Sequence, residues 1–129
     1  MSQRILVVDD QKMMQDVVAR ALRRAGYFVV TASNGQEALE KFHSFSPDLV
    51  ITDVVMPEKD GIELTKAIRS LNPDVKILAM SGYDGTNVTD FLSIVRHLGA
   101  DDVLGKPFDF NRLRAKVSFF IGEAARKRA

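Results

Sequence analysis

The chain has 129 residues, of which 46% are hydrophobic and 27% are charged, a composition typical of one soluble globular domain. It has no cysteine, which excludes disulfides, a zinc finger and a thiol nucleophile and favours a reducing cytoplasm as its location. The formal net charge of +1 favours neither direct DNA binding nor a membrane surface.

Short apolar runs alternate with helix-like periodicity along the chain, which is typical of βα units around a parallel sheet. The first predicted strand is Arg4–Val8 and the second is Phe28–Ala32. A helix follows each strand, and these helices end at Gly26 and before Pro47, since glycine and proline commonly terminate helices. The predicted inward faces are Met14, Val17, Val18, Ala21, Leu22 and Ala25 in the first helix, and Ala38, Leu39 and Phe42 in the second.

The third predicted strand, Leu49–Thr52, leads straight into the carboxylate of Asp53, and Met56-Pro57 follows. A continuous apolar run bounded by turn residues suits a strand that is covered on both faces, as in parallel α/β sheets. We therefore expect Asp53 outside the carboxyl end of a buried strand, where such sheets bind their ligands.

The second half of the chain continues the alternation. A helix begins near Gly61, a strand over Val75–Met80 ends at Ser81, and a short strand covers about Asp102–Leu104. Asp109 can cap a last helix. The predicted inward positions are Leu64, Ile68 and Leu71 in the helix near Gly61, then Val88, Phe91, Leu92, Val95 and Leu98 in a helix ended by Gly99, and Leu113, Val117, Phe120, Ile121 and Ala124 in the last helix.

Five βα units predict an α/β fold, a five-stranded parallel sheet of order 2-1-3-4-5 in a flavodoxin-like, doubly wound (βα)5 three-layer sandwich. We expect residues 1–129 to form a single domain, with a core over about 4–121 and a basic helical tail over 122–129. The tail sequence Arg126-Lys127-Arg128 suits the negative end of a helix dipole and is too short to indicate nucleic-acid binding.

Polar side chains follow the ends of four predicted strands. Right-handed crossovers place all strand ends at one edge of the sheet. Two carboxylates about 4 Å apart repel by roughly 4 kcal/mol at an effective dielectric of ~20, so converging aspartates need protonation or a cation. Oxygen ligands without cysteine favour Mg²⁺ over Ca²⁺ or Mn²⁺. The residues expected at this edge are Asp9, Asp10, Asp53, Ser81 and Lys106.

In combination, these residues resemble the receiver domain of bacterial two-component response regulators, from Ile5 to about Ile121. Each matching motif is weak alone, but all of them occur in the right order and at nearly the right separations. The motifs are Asp9-Asp10, Asp53 with Met56-Pro57 and Asp60-Gly61, Ser81-Gly82, Gly99-Ala100-Asp101-Asp102, and Lys106-Pro107-Phe108.

The resemblance implies that Asp53 accepts a phosphoryl group from a histidine kinase or a histidine phosphotransfer protein, and that the domain then switches a protein-interaction surface. It implies a cytoplasmic signalling protein rather than an enzyme with a separate substrate. Lys106, preceding a cis peptide bond to Pro107, and Ser81 would contact the phosphoryl oxygens. The implied Mg²⁺ ligands are Asp9, Asp10, Asp53 and the backbone carbonyl of Val55. Since no output domain follows, we expect a stand-alone regulator or phosphate shuttle.

The sequence departs from the family pattern in two places. Three residues before Lys106, where the family usually has Tyr or Phe as a rotamer switch, the chain has Val103. The segment before Lys106 is also longer than is common, which places an insertion at Asp84–Asn87. Tyr83 is the candidate replacement for the missing switch, although it could instead cover the site and slow attack by water.

Two alternatives stay open. The nearer one is a binding module of the same fold that works without phosphorylation. The more distant one is a Mg²⁺-dependent phosphohydrolase with an aspartyl nucleophile, which usually needs an acid or base where this chain has Val55. A flavin site is disfavoured because the first turn offers carboxylates rather than glycines and amides. His43 and His97 lie on separate predicted helices and are assigned no role.

Overall fold

A five-stranded parallel sheet forms the centre of the computed structural model, which describes residues 3–53, 60–81, 97, 99–105 and 109–128, with side chains described except at 60–62, 81 and 124–128. The strand order is β2-β1-β3-β4-β5, so the predicted order 2-1-3-4-5 and the α/β fold class are confirmed. The strands are β1 (Arg4–Val8), β2 (Phe28–Ala32), β3 (Leu49–Asp53), β4 (Lys76–Ser81) and β5 (Asp102–Gly105).

Four helices are described around the sheet, and none of them is both long enough and apolar enough to cross a membrane. The predicted helix over Val88–Leu98 lies outside the described residues except for His97, which is helical. Gly26 follows the first helix with a φ of 99°, a conformation that favours glycine, and so confirms the predicted stop. The helices are α1 (Lys12–Arg24), α2 (Gly35–Phe45), α3 (Asp60–Leu71) and α4 (Phe110–Arg128).

Alternate residues of the strands face two apolar layers, one on each side of the sheet. All five residues of β3 are buried, which confirms the prediction of a strand covered on both faces. One layer includes Ile5, Val7 and Ile51 with Leu22 of α1 and Val117 of α4, and the other includes Leu6, Val8 and Val50 with Phe42 of α2 and Ile68 of α3.

The predicted inward face of α1 is wrong in part. Val17 is 42% exposed and Ala25 is exposed, whereas Gln15 is buried. The buried residues of α1 are Gln15, Val18, Ala19 and Leu22, spaced one, three or four apart along one helix face. Leu71 was also predicted to face inward, but it is the last residue of α3 and is 52% exposed.

The predicted cap of the last helix is confirmed. Asp109 precedes α4, and its Oδ1 accepts a hydrogen bond from the backbone N–H of Asn111 at 2.7 Å. At the start of α2, the side chain of Asn34 accepts a bond from the N–H of Glu37 at 2.9 Å. Both bonds satisfy amide groups that a helix leaves unpaired in its first turn.

Arg69 of α3 ties together the connections at the amino edge of the sheet. Its Nη1 donates to the carbonyls of Pro73 at 2.8 Å and Val75 at 2.7 Å. Its Nε donates to the carbonyl of Gly99 at 2.9 Å, and its Nη2 donates to Asp101 Oδ2 at 2.8 Å. A single guanidinium thus joins the end of α3 to the segments that enter β4 and β5.

Replacing Arg69 with Met keeps the aliphatic stem and removes these bonds. We expect Arg69→Met to lower the free energy of unfolding by about 2 kcal/mol, because several carbonyls and one carboxylate lose a charged donor. Urea denaturation followed by circular dichroism measures the change. The control is Arg112→Met, since Arg112 is an exposed arginine of α4. Equal midpoints for the two variants would contradict the structural importance of Arg69.

Candidate functional site

The acidic site lies at the carboxyl edge of the sheet, where β1 and β3 end side by side. The register pairs Val8 of β1 with Thr52 of β3, so the next residue of each strand emerges at the same edge. These next residues are Asp9 and Asp53. This is the position at which open parallel sheets bind their ligands.

Asp9, Asp10 and Asp53 come together as the sequence predicted. One carboxylate oxygen from each residue lies within 4.8 Å of those from the other two. Asp9 is fully buried and Asp53 is 6% exposed, whereas Asp10 is exposed. At this separation two unit charges repel by about 3.5 kcal/mol at an effective dielectric of ~20, and by less where solvent screens Asp10. The three side chains, called the acidic cluster below, therefore form a small site that favours a cation.

The donor atoms of the acidic cluster fit a divalent cation. All three groups are carboxylates, and hard oxygen ligands are those that Mg²⁺ and Ca²⁺ prefer. Mg²⁺ commonly binds through one or two carboxylates and keeps several waters, so a cluster with one exposed member suits it.

Asp9 is held both by its backbone and by its side chain. Its N–H donates to the carbonyl of Ala32 at 3.1 Å, which joins it to the end of β2. Its Oδ1 accepts from the backbone N–H of Gln11 at 2.9 Å, and its own carbonyl accepts from Gln15 Nε2 at 2.6 Å. These bonds fix Asp9 between two strands and the first turn of α1.

Gln15 is a residue of this site that the sequence analysis missed. It is 1% exposed and lies among the buried apolar residues of α1. A polar residue at position 15, in helical register with Val18, Ala19 and Leu22, was the available signal. It was overlooked because Val17 offered an apolar alternative nearby.

Two lysines near this edge are engaged elsewhere. Lys41 Nζ donates to the carbonyl of Thr31 at 2.5 Å and pairs with Glu37 at 2.9 Å, and this contact with Lys41 holds the pKa of Glu37 below its usual range. Lys12 pairs with Asp16 at 3.3 Å. Both lysines are thus held by groups outside the acidic cluster.

Of the other predicted site residues, the structure describes Ser81, by its backbone alone. Ser81 is the last residue of β4 and pairs in register with Gly105, the last residue of β5, so both strands end at the same edge as the acidic cluster. The side chain of Ser81 is not described. The remaining predictions concern residues outside the described ranges, namely Val55, Tyr83, Lys106, the Lys106-Pro107 peptide and the Asp84–Asn87 loop.

Comparison with known proteins identifies the family. The model of the response regulator receiver domain matches residues 5–118. The alkaline phosphatase synthesis transcriptional regulatory protein PhoP of Bacillus subtilis is 39% identical over 122 residues, covering 94% of this chain and 49% of PhoP. The response regulator MprA of Mycobacterium ulcerans is 40% identical over 117 residues, covering 91% of this chain and 49% of MprA. The chain thus spans about half the length of these two relatives.

Solved structures agree with this assignment. The chemotaxis response regulator CheY4 of Vibrio cholerae matches with a TM-score of 0.83 and 31% identity, over 93% of this chain and 99% of CheY4. A CheY-like receiver domain protein of Methanospirillum hungatei matches with a TM-score of 0.88 and 27% identity, over 98% of this chain and 99% of that protein. The resemblance seen in the sequence is confirmed, and the chain belongs to the family of response regulator receiver domains, the signalling domains of two-component systems.

Proposed function

We propose that Asp53 accepts a phosphoryl group from the phosphohistidine of a histidine kinase or a histidine phosphotransfer protein, and that this reaction switches a protein-interaction surface. The observation that carries the proposal is the position of Asp53. It ends a fully buried strand, and its carboxylate lies within 4.8 Å of those of Asp9 and Asp10. Membership of the receiver family supports the same function.

The fold prepares Asp53 to act as a nucleophile. Asp53 pairs in register with Met80 of β4, and the preceding Thr52 pairs with both β1 and β4, so the backbone beneath the carboxylate is fixed. A carboxylate oxygen attacks phosphorus, the phosphorus–nitrogen bond breaks, and its electron pair returns to the imidazole. The product is an acyl phosphate on Asp53.

Mg²⁺ in the acidic cluster would neutralise charge on the phosphoryl oxygens during transfer. Asp9, which follows β1, and Asp10, which is exposed, would bind it together with Asp53 and the backbone carbonyl of Val55. We assign Lys106 and Ser81 to the phosphoryl oxygens. β4 ends at Ser81 and β5 ends one residue before Lys106, which supports this assignment.

A binding module that works without phosphorylation is the second candidate. Val103 of β5 is half-buried, beside Ala79 of β4, where the family usually has Tyr or Phe. Its short branched side chain cannot swing between two distant positions as a tyrosine can. If the domain does switch on phosphorylation, the signal needs another route from Asp53 to the surface, and we propose that Tyr83 provides it.

Replacing Asp53 with Asn keeps the shape of the side chain and removes the nucleophile. We expect the wild type to gain one phosphoryl group from a small phosphodonor in the presence of Mg²⁺, and Asp53→Asn to gain none. Mass spectrometry of the intact protein and of its peptides measures both. Asp16→Asn is the control, because Asp16 is an exposed carboxylate of α1, and it should behave as the wild type. An acyl phosphate on the Asp53→Asn protein would contradict the assignment of Asp53 as the phosphoacceptor.

Mg²⁺ should stabilise the folded chain through the acidic cluster. At a concentration 100 times its dissociation constant, a ligand that binds only the folded state adds about 2.7 kcal/mol to the free energy of unfolding. We expect Mg²⁺ to raise the Tm of the wild type and of Asp16→Ala, and the rise to be largely lost in Asp10→Ala. Thermal unfolding with and without Mg²⁺ provides the comparison. If Asp10→Ala keeps the full shift, Asp10 is not a ligand.

A further inference from the structure

Gln15 reaches from α1 to the ends of two strands beside the acidic cluster. Its Nε2 lies 2.6 Å from the carbonyl oxygen of Asp9, 3.1 Å from that of Ala32 and 2.9 Å from Ser33 Oγ. A carboxamide nitrogen carries two N–H groups, so these three acceptors share them. The shortest of the three contacts is the one to Asp9.

The carbonyl of Asp9 belongs to the peptide that links Asp9 to Asp10. Because a peptide is planar, holding this oxygen also orients the N–H and the backbone of Asp10. Asp9 has other restraints, since its N–H bonds to Ala32 and its Oδ1 accepts from Gln11. Because Asp10 is exposed, the direction of its side chain depends strongly on the orientation of the peptide that precedes it.

The need to satisfy buried backbone groups does not fully explain why a buried glutamine occupies position 15. The carbonyl of Ala32 already accepts the N–H of Asp9. Burying a carboxamide costs free energy that only good hydrogen bonds offset. An apolar side chain would pack at this position beside Val18, Ala19 and Leu22 without that cost, but the carbonyl of the buried Asp9 would then lose the donor that Gln15 supplies.

We propose that Gln15 is a positioning residue for the cation site, and that it acts by fixing the Asp9–Asp10 peptide so that both carboxylates converge with Asp53. This inference rests on the proposed function, since the cation is the Mg²⁺ of phosphoryl transfer. Partners that orient metal ligands from outside the site typically change metal affinity or activity by about 10–100-fold. Gln15 holds backbone rather than a ligand atom, so we expect an effect near the lower end of that range.

The test uses Gln15→Met, which keeps the length of the side chain and removes the donor. We expect about 10-fold weaker Mg²⁺ binding, measured from amide signals during a Mg²⁺ titration. With a small phosphodonor, the half-saturating Mg²⁺ concentration should rise by a similar factor, while the rate at saturating Mg²⁺ stays within about twofold. In the Mg²⁺-free protein, the amide signal of Asp10 should shift relative to the wild type, because the carbonyl of the same peptide loses its donor.

Two control variants separate positioning from general destabilisation. Gln36→Met makes the same substitution at an exposed residue of α2. Arg69→Met destabilises the fold from the opposite edge of the sheet. Both should bind Mg²⁺ as the wild type does. If Gln15→Met does not fold, Gln15→Asn takes its place, because its amide is one methylene too short to reach the same acceptors.

The outcomes distinguish this inference from the proposed function. A wild type that neither binds Mg²⁺ nor is phosphorylated on Asp53 contradicts the proposed function itself. A wild type that does both, with a Gln15 variant of equal Mg²⁺ affinity and an unchanged Asp10 amide signal, overturns only the role of Gln15. A rate that falls at every Mg²⁺ concentration without a change in the half-saturating value also overturns it.

Discussion

Mutual repulsion among three carboxylates is the constraint on which the functional edge of this protein depends. The pairing of Val8 with Thr52 places Asp9 and Asp53 side by side, and the buried apolar residues of β1 and β3 hold that register. Both strands pack against apolar layers on both faces of the sheet, so a shift in register would disrupt close packing on either side, and the core therefore opposes a movement of the strands that would separate Asp9 from Asp53. The fold thus maintains an arrangement that a cation relieves.

The two edges of the sheet use polar groups differently. At the amino edge, the guanidinium of Arg69 donates to three carbonyls and to Asp101, an arrangement that joins chain segments. At the carboxyl edge, Gln15 engages backbone groups, and one oxygen from each of the three carboxylates lies within 4.8 Å of those from the other two. The first arrangement brings opposite charges together, whereas the second concentrates charge of a single sign. Binding of a cation and a phosphoryl group is the chemistry that the second arrangement suits.

Much of this architecture could be predicted from the sequence, because strands buried on both faces and glycine or proline stops leave clear patterns. The bounds of β1 and β2 agree residue for residue, and the three aspartates converge as expected. Errors arose where apolar residues lie at helix surfaces or ends, as at Val17 and Leu71. Gln15 was missed because Val17 offered an apolar alternative on the same helix, and because two of its three hydrogen-bond partners, Ala32 and Ser33, lie 17 and 18 residues away in the sequence. The roles of Ser81 and Lys106 stay predictions, since a strand end locates a residue but does not orient its side chain.

The most direct measurement is phosphoryl uptake by the wild-type chain as a function of Mg²⁺ concentration, with the modified residue located by mass spectrometry. A small phosphodonor removes any dependence on a partner protein, and EDTA supplies the metal-free limit. Phosphorylation should be confined to Asp53, should saturate with Mg²⁺ as expected for one site, and should fall to the background level in EDTA. Uptake at an undiminished rate in EDTA, or on a residue other than Asp53, would contradict the assignment of this edge as a magnesium-dependent phosphoacceptor site.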